Sequence, residues 1–120
     1  MQSRSPIRVL LVEDHTVFRE GLRSLLVDQE LFALVGEAAT SQEALKLVPQ
    51  EKPDVILLGL MLSDGSSLAS ISHFCATRPS AKVIVLTGIS EEEMLSQAVL
   101  SGAMGIVRKR EPLQVLLKSP

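Results

Sequence analysis

The chain has 120 residues, a formal net charge of −2 and 46% hydrophobic residues, and its aromatic residues are three Phe. This length predicts one domain that can bury a core without disulfides or structural metals, and the near-neutral charge argues against a nucleic-acid or membrane surface. A single cysteine, Cys75, excludes an internal disulfide and is typical of the reducing cytoplasm. No segment approaches the roughly 20 apolar residues that a membrane span needs, so we expect a cytoplasmic domain with no membrane partner.

Five short runs rich in Val, Ile and Leu are typical of parallel strands that are buried on both faces. Each run has the length of a strand rather than that of a helix. The predicted strands are Ile7–Val12, Leu31–Val35, Asp54–Leu58, Lys82–Leu86 and Met104–Val107.

Between these runs, apolar residues recur at the three- and four-residue spacing of helices. The stripes are Phe18, Leu22, Leu25 and Leu26 in the first predicted helix, and Leu68, Ile71 and Cys75 in the third. Capping boxes at Thr40–Glu43 and Ser90–Glu93 predict helix starts, and Gly102 would end the fourth helix. A short fifth helix is predicted over Pro112–Lys118. Alternating strands and helices with right-handed crossovers predict an α/β fold with a doubly wound parallel sheet.

Chemically active residues follow the predicted strands, at the edge of the sheet where α/β proteins place their binding sites. The residues at the strand ends are Glu13 and Asp14, then Gly36, Gly59, Thr87 with Gly88, and finally Arg108 with Lys109. Two acids, a hydroxyl and an ammonium group at one edge could hold a hard divalent cation beside a phosphoryl group.

Four segments at the ends of the predicted strands carry a recognisable pattern: VLLVEDH (Val9–His15), DVILL (Asp54–Leu58), VIVLTG (Val83–Gly88) and GAMGIVRKREP (Gly102–Pro112). In this order and at these strand ends, they resemble the receiver domain of two-component response regulators. Two more, FREGLRSLL (Phe18–Leu26) and VGEA (Val35–Ala38), resemble the subfamily with a LuxR-type helix-turn-helix output domain. The resemblance implies one receiver domain over residues 1–120 with a flavodoxin-like (βα)5 sheet of strand order 2-1-3-4-5. It also implies a DNA-binding output domain C-terminal to this chain.

The resemblance assigns roles to residues at the carboxyl edge of the sheet. Glu13 and Asp14 would be the acid pair that binds Mg²⁺, with the backbone carbonyl of Met61 as a further ligand. Thr87 would be the switch hydroxyl that follows the phosphoryl group, and Lys109 would contact the phosphoryl oxygens.

Three positions depart from the receiver pattern. In receivers the phospho-accepting aspartate directly follows the DVILL-type strand, and here Gly59 stands at that position. Ser63 stands where a proline is usual, and Ile106 stands where an aromatic switch residue is usual. Glycine has no carboxylate and cannot form an acyl phosphate, so the sequence indicates an atypical receiver that is not phosphorylated at the usual site. The alternative is that Gly59 marks a bend or bulge that needs no side chain.

Neither nearby aspartate is a good replacement for the missing acceptor. Asp54 lies at the start of the predicted strand, about 16 Å from Gly59 at roughly 3.3 Å per residue, at the opposite edge of the sheet. Asp64 lies in SDGSS, which is typical of a turn and a helix start. We expect His15 and His73 to be exposed, ordinary histidines with no metal or phosphoryl role.

Three of the edge residues have alternative roles. Asp14 directly precedes a helix, where its carboxylate could cap backbone N–H groups. Thr87 could equally be a turn residue. With only Glu13 and Asp14 opposite Lys109, Mg²⁺ binding should be weak or absent. Lys109 would then pair with one of the acids and hold the pocket in one state.

The leading prediction is a non-enzymatic signalling module that acts through protein contacts. Its expected partners are a histidine kinase, its own output domain and a second copy of itself, with DNA reached only through the output domain. The resemblance to receivers implies that dimerisation or docking would use the face of helix four, strand five and helix five, or helix one with helix five.

The alternative is a conventional phospho-accepting receiver that carries an engineered Asp-to-Gly change at position 59. The joint departure of Ser63 and Ile106 favours a naturally atypical receiver. A flavin- or nucleotide-binding protein is disfavoured because Glu13 and Asp14 would face the phosphate. A phosphohydrolase is disfavoured because the third strand carries no nucleophile.

Overall fold

The computed structural model of the chain describes residues 5–88 and 93–108. Strands and helices alternate along these residues as the sequence predicts, with a short hairpin added after the third strand. The elements are β1 (Ile7–Val12), α1 (Thr16–Val27), β2 (Phe32–Ala38), α2 (Ser41–Glu51), β3 (Val55–Gly59), β4 (Met61–Leu62), β5 (Gly65–Ser66), α3 (Leu68–Thr77), β6 (Lys82–Thr87), α4 (Leu95–Ser101) and β7 (Gly105–Arg108).

Five of the strands form one parallel sheet in the order β2-β1-β3-β6-β7. Counted without the hairpin strands β4 and β5, this is the predicted order 2-1-3-4-5, so the flavodoxin-like α/β fold is confirmed. Val12 pairs with Leu58, and Gly59 pairs with Leu86. As a result, β1, β3 and β6 end at the same edge of the sheet.

Helices cover both faces of the sheet and divide the core into two clusters. On one face, residues of β1 and β3 pack against Leu22 and Leu26 of α1. On the other face, the strands pack against α2, α3 and α4 through residues that include Val48, Ile71 and Ala98. The stripes predicted for the first and third helices therefore do face the core, where burying one large aliphatic side chain contributes about 1.5–3 kcal/mol.

Strand β2 is longer than the sequence predicts. We expected it to end at Val35 because a glycine follows, but it runs over Phe32–Ala38, and its pairing with β1 skips one residue midway. A Cβ atom added to Gly36 would lie 3.1 Å from Leu10 Cδ1. The glycine thus permits a close approach to β1 and does not end the strand. The carboxyl end of β2 lies two residues beyond Gly36, which corrects the prediction.

Two predicted helix ends are confirmed. Thr40 Oγ1 accepts a hydrogen bond from the N–H of Glu43 at 3.1 Å, and the Glu43 carboxylate accepts one from the N–H of Ala39 at 2.9 Å. The capping box is therefore present, with its return bond displaced by one residue. Gly102 directly follows α4 as its C-cap, and its φ of 122° is a value that glycine adopts readily.

Some predictions concern residues outside the described ranges. They are most of the Ser90–Glu93 capping box, the Pro112–Lys118 helix and Lys109. Among the helices formed by residues 5–88 and 93–108, none combines the length and apolar character needed to cross a bilayer.

Candidate functional site

Three strand ends meet at the point where the connections of the sheet change direction. Strand β1 lies between β2 and β3, and β3 lies between β1 and β6. Open α/β sheets bind their ligands at such a switch point, outside the carboxyl ends of the strands. The residues that end or directly follow these three strands are Glu13, Gly59 and Thr87.

The Glu13 side chain is completely buried beside the first turn of α1. Its Oε2 accepts a hydrogen bond from the backbone N–H of His15 at 3.0 Å and lies 2.8 Å from His15 Nδ1. An ionised carboxylate only accepts, so Nδ1 would carry the hydrogen of this second bond. Arg19 Nη1 donates to the backbone carbonyl oxygen of Glu13 at 3.0 Å. Both the side chain and the main chain of this acid are therefore fixed to α1.

The backbone at Gly59 is that of a regular strand residue. It pairs in register with Leu86 of β6, and its φ is not positive. Its carbonyl oxygen accepts a hydrogen bond at 2.7 Å from the hydroxyl of Ser67, which is completely buried. The alternative interpretation of Gly59 as a bend or bulge is therefore wrong, because nothing in this backbone conformation requires glycine.

The space beside Gly59 is occupied by Glu13. A Cβ atom built on Gly59 would lie 2.7 Å from Glu13 Oε1, 3.4 Å from Glu13 Cδ and 3.5 Å from Leu62 Cδ2. The first distance is shorter than Cβ atoms show in folded proteins. The absence of a side chain at position 59 thus allows the Glu13 carboxylate to lie where it does.

Asp14 and His15 extend the acidic group. One ligand atom from each of Glu13, Asp14 and His15 lies within 4.8 Å of the others. Asp14 Oδ1 is shielded from solvent and receives no hydrogen bond from the described residues, while Oδ2 accepts a long one, 3.4 Å, from Ser63 Oγ. These acids and the imidazole form one cluster at the end of β1.

Two expectations about this cluster need correction. The N-cap of α1 is His15, and its side chain makes no capping hydrogen bond. The alternative role of Asp14, a carboxylate that caps the backbone N–H groups of this helix, is therefore not observed. The His15 side chain is 65% exposed, as expected, but it is not an ordinary isolated histidine, because its ring contacts buried Glu13. His73 is exposed in the middle of α3.

The remaining aspartates have structural roles. The carboxylate oxygens of Asp64 accept hydrogen bonds from the backbone N–H groups of Ser41 at 3.1 Å and Gln42 at 3.3 Å. Asp64 lies in the predicted turn, but the helix start that it caps is that of α2 rather than α3. Asp54 lies at the opposite edge of the sheet and accepts from the N–H of Arg8 at 2.9 Å.

The two switch positions lie on neighbouring strands. Thr87 is 1% exposed, and its Oγ1 donates to the carbonyl oxygen of Gly88 at 3.1 Å, which is a local turn bond. Ile106 is half-buried in β7. Together with α4 it forms a groove of about 440 Å³, lined by Leu95, Ser96, Val99, Leu100 and Ile106. Met61 lies in β4 and is 43% exposed.

Residues 9–119 match the family model described as "Response regulator receiver domain". The chain belongs to this receiver family. The "Uncharacterized transcriptional regulatory protein YhcZ" of Bacillus subtilis (strain 168) is 32% identical to this receiver over 113 residues, which cover 94% of this chain and 53% of that protein. The "DNA-binding transcriptional activator DevR/DosR" of Mycobacterium tuberculosis is 36% identical over 103 residues, which cover 86% of this chain and 48% of that protein.

The three-dimensional comparison agrees with the sequence comparison. A crystal structure of a LuxR-family two-component response regulator from Aurantimonas sp. SI85-9A1 matches this receiver with a TM-score of 0.85 at 29% identity. The match covers 95% of this chain and 81% of that one. The receiver spans about half the length of the curated relatives, 53% and 48%.

The Mg²⁺ ion that the receiver resemblance implies does not fit the donor atoms of this receiver well. Position 59 supplies no carboxylate, and Glu13 Oε2 already contacts two groups of His15. Asp14 is left as the accessible acid of the cluster, with its side chain 25% exposed. Mg²⁺ requires near-octahedral oxygen ligands and binds mainly through carboxylates and retained waters. Glu13, Asp14 and His15 still bring one ligand atom each within 4.8 Å of the others, so weak or absent Mg²⁺ binding stays a prediction.

Sequence reasoning missed two residues that build this site. Ser67 could have been noticed as a helix-start serine in SDGSS, but the sequence gives no sign that its hydroxyl turns back to the Gly59 carbonyl. His15 could have been noticed as the neighbour of the acid pair, but its contact with Glu13 depends on the path of the chain from the end of β1 into α1. Lys109, which we expected to contact the phosphoryl oxygens or pair with an acid, lies outside the described residues.

Proposed function

We propose that this chain is the receiver-type signalling module of a transcriptional response regulator, and that it signals without phosphorylation at position 59. Membership in the receiver family and likeness to a LuxR-family regulator support the first part. One observation carries the second part. Gly59 ends the central strand β3 between the ends of β1 and β6, in the place that the resemblance assigns to the phospho-accepting aspartate.

Phosphorylation of a receiver requires a carboxylate oxygen that can attack phosphorus. Gly59 offers none, Glu13 is buried against His15, and Asp64 is engaged at the start of α2. Asp14 is the accessible acid, but it follows β1 and does not lie at the end of β3. The Thr87 hydroxyl has a local partner in the Gly88 carbonyl. We therefore assign no enzymatic step to this chain, and its switch positions, Thr87 and Ile106, would be held in one arrangement.

The recipient of the signal would be a DNA-binding output domain in the same protein, C-terminal to this receiver. The chain spans about half of its curated relatives, one of which is a DNA-binding transcriptional activator. DNA contact would belong to that output domain. A histidine kinase would be a partner in the cytoplasm through surface contacts rather than through phosphotransfer.

A second copy of the chain is the proposed partner of the α4 and β7 face. The side chains that line the α4–β7 groove carry no charge, and Val99 and Leu100 are 53% and 86% exposed. Met104, just before β7, is 70% exposed. Burial of such a patch against its own copy in a two-fold dimer removes apolar area from water without desolvating a charge.

Incubation of the chain with acetyl phosphate and Mg²⁺, followed by intact mass measurement, tests the proposed function. We expect no species heavier by one phosphoryl group, while a receiver that has the aspartate, treated in parallel, gains it. Stable gain of one phosphoryl group by this chain would show that another residue accepts phosphate, and the proposal would then be wrong.

A further inference from the structure

The hairpin of β4 and β5 is separated from the end of β3 by one residue, and it is very short. Two residue pairs form its ladder, so only Ser63 and Asp64 lie in the turn. The next residue, Gly65, has φ 111°, a value that favours glycine. The side chain of Leu62 is 6% exposed and belongs to the core. A two-residue turn on a ladder of two pairs fixes the tip of the hairpin relative to its base.

The base of the hairpin is tied to the end of β3 by Ser67. The Ser67 hydroxyl donates to the carbonyl oxygen of Gly59 at 2.7 Å and lies 3.3 Å from that of Leu60. The backbone N–H of Ser67 donates to the Leu60 carbonyl oxygen at 2.8 Å. Ser67 is completely buried, so loss of its hydroxyl would leave the buried Gly59 carbonyl without this donor, which is costly.

The tip of the hairpin is tied to the start of α2 by Asp64. Its carboxylate oxygens accept hydrogen bonds from the N–H groups of Ser41 at 3.1 Å and Gln42 at 3.3 Å. Beside it, the N–H of Ser63 donates a long bond of 3.4 Å to the carbonyl oxygen of Ala39. One short hairpin therefore contacts the end of β3 at its base and the start of α2 at its tip.

We infer that the β4–β5 hairpin is a strap that couples the start of α2 to the end of β3, with Ser67 and Asp64 as its two ties. Their bonds within the described part of the chain have no partner in common. Because the hairpin between them is short and anchored, loosening of one tie loosens the other. The coupling is reciprocal, as any equilibrium coupling between two sites must be. It is argued from geometry alone and does not depend on the proposed function.

Amide hydrogen exchange, followed residue by residue by NMR, tests the coupling in both directions. In Ser67→Ala, the N–H groups of Ser41 and Gln42 should exchange at least about threefold faster than in the unchanged chain, although their acceptor is Asp64. In Asp64→Ala, the N–H groups of Leu60 and Ser67, at the other tie, should also exchange at least about threefold faster. If each change affects only the N–H groups of its own tie, the inference is wrong.

Ser63→Ala is the matched control, because it changes the same turn but removes only a long bond of 3.4 Å, to Asp14. We expect exchange at both ties to stay within about twofold of the unchanged chain. The N–H of Val85, a buried residue of β6, reports general opening of the core and should not change in any variant. Equal acceleration at Val85, or in Ser63→Ala, would assign the effect to general loosening and overturn the inference.

A thermal unfolding cycle measures the same coupling at equilibrium. The double variant Asp64→Ala/Ser67→Ala should lose at least about 2 °C less in melting temperature than the sum of the two single losses, because release of one tie already weakens the other. Additive losses would contradict the strap. Asp64 is exposed, so its variant keeps the core intact. If Ser67→Ala does not fold, the exchange rates of Asp64→Ala decide the inference alone.

Discussion

At the scale of single residues, the arrangement of the site depends on which carboxylates accept hydrogen bonds from nearby N–H groups. Glu13 is completely buried, and a buried charge is tolerated only when it is hydrogen-bonded. His15 supplies two contacts to it, and the side-chain-free Gly59 supplies the space. Asp64 is equally engaged, because both of its oxygens accept from the first turn of α2. Glu13 and Asp64 thus each have hydrogen-bond donors that hold their carboxylates in place.

Replacement of Asp64 by alanine should lower the free energy of unfolding by about 1 kcal/mol, because the N–H groups of Ser41 and Gln42 lose their side-chain acceptor. Urea denaturation followed by circular dichroism would measure this. Ser63→Ala, in the same turn, is the control, since its hydroxyl makes only a long bond of 3.4 Å, to Asp14. We expect its effect to stay within about 0.5 kcal/mol. Equal effects of the two changes would contradict a capping role for Asp64.

At the scale of elements, α2 shows how side chains and backbone conformation act at the two ends of a helix. Its start has two side-chain acceptors, Thr40 and Asp64. Near its end Pro49 lacks a backbone N–H, and the residue that follows the helix, Lys52, has φ 49° and ψ 60°. A left-handed conformation costs a residue with a Cβ roughly 1–2 kcal/mol. The helix therefore ends at a conformation that glycine would adopt with less strain.

We expect Lys52→Gly to raise the free energy of unfolding by about 0.5–1 kcal/mol, because glycine removes the backbone strain at this cap. The higher conformational entropy of glycine in the unfolded chain offsets part of this stabilisation. Lys46→Gly, at an exposed position inside the same helix, should have the opposite sign and a cost of about 0.5–1 kcal/mol. Urea denaturation of both variants would measure the two changes in the free energy of unfolding. A loss of stability in Lys52→Gly would show that the side chain stabilises the cap more than its backbone is strained.

At the scale of the whole molecule, the receiver separates its buried site from its apolar surface. The acidic cluster lies at the end of β1, near the middle of the sheet, whereas the uncharged groove lies between α4 and the edge strand β7. If the chain signals without phosphate, as proposed, we expect partners to use this surface groove. The proposed dimer would therefore form without a change at position 59.

Replacement of Leu100 by aspartate should weaken self-association of the chain at least about tenfold, because it places a charge in the proposed dimer contact. Sedimentation equilibrium over a concentration series would measure the dissociation constant. Val17→Asp, on α1 with the same 86% exposure, tests the alternative face of helix one, and Leu31→Asp, before β2, is the control. An effect of Val17→Asp alone would move the contact to α1, and a chain that stays monomeric throughout would refute the dimer.

Much of this receiver could be predicted from local sequence. The runs of Val, Ile and Leu, the capping box at Thr40 and the glycine after α4 are short-range signals, so the alternation of the main strands and helices was predicted correctly. The strand order was predicted from the resemblance to receivers and is confirmed. The extension of β2 past Gly36 was missed, because a glycine breaks a strand in isolation but permits close packing against Leu10 in the sheet. The β4–β5 hairpin was missed because each of its strands has only two residues, too few for a period to appear.

The sequence by itself determined that position 59 has no carboxylate, because that is a matter of covalent identity and needs no fold. It also placed Glu13, Gly59 and Thr87 at strand ends, because the apolar runs that predict these three strands stop there. Only the tertiary structure decided which side chain fills the space beside Gly59. Glu13 and Gly59 are far apart in the chain, and the distance between their atoms follows from the packing of β1 beside β3 and from the contacts of His15 at the start of α1.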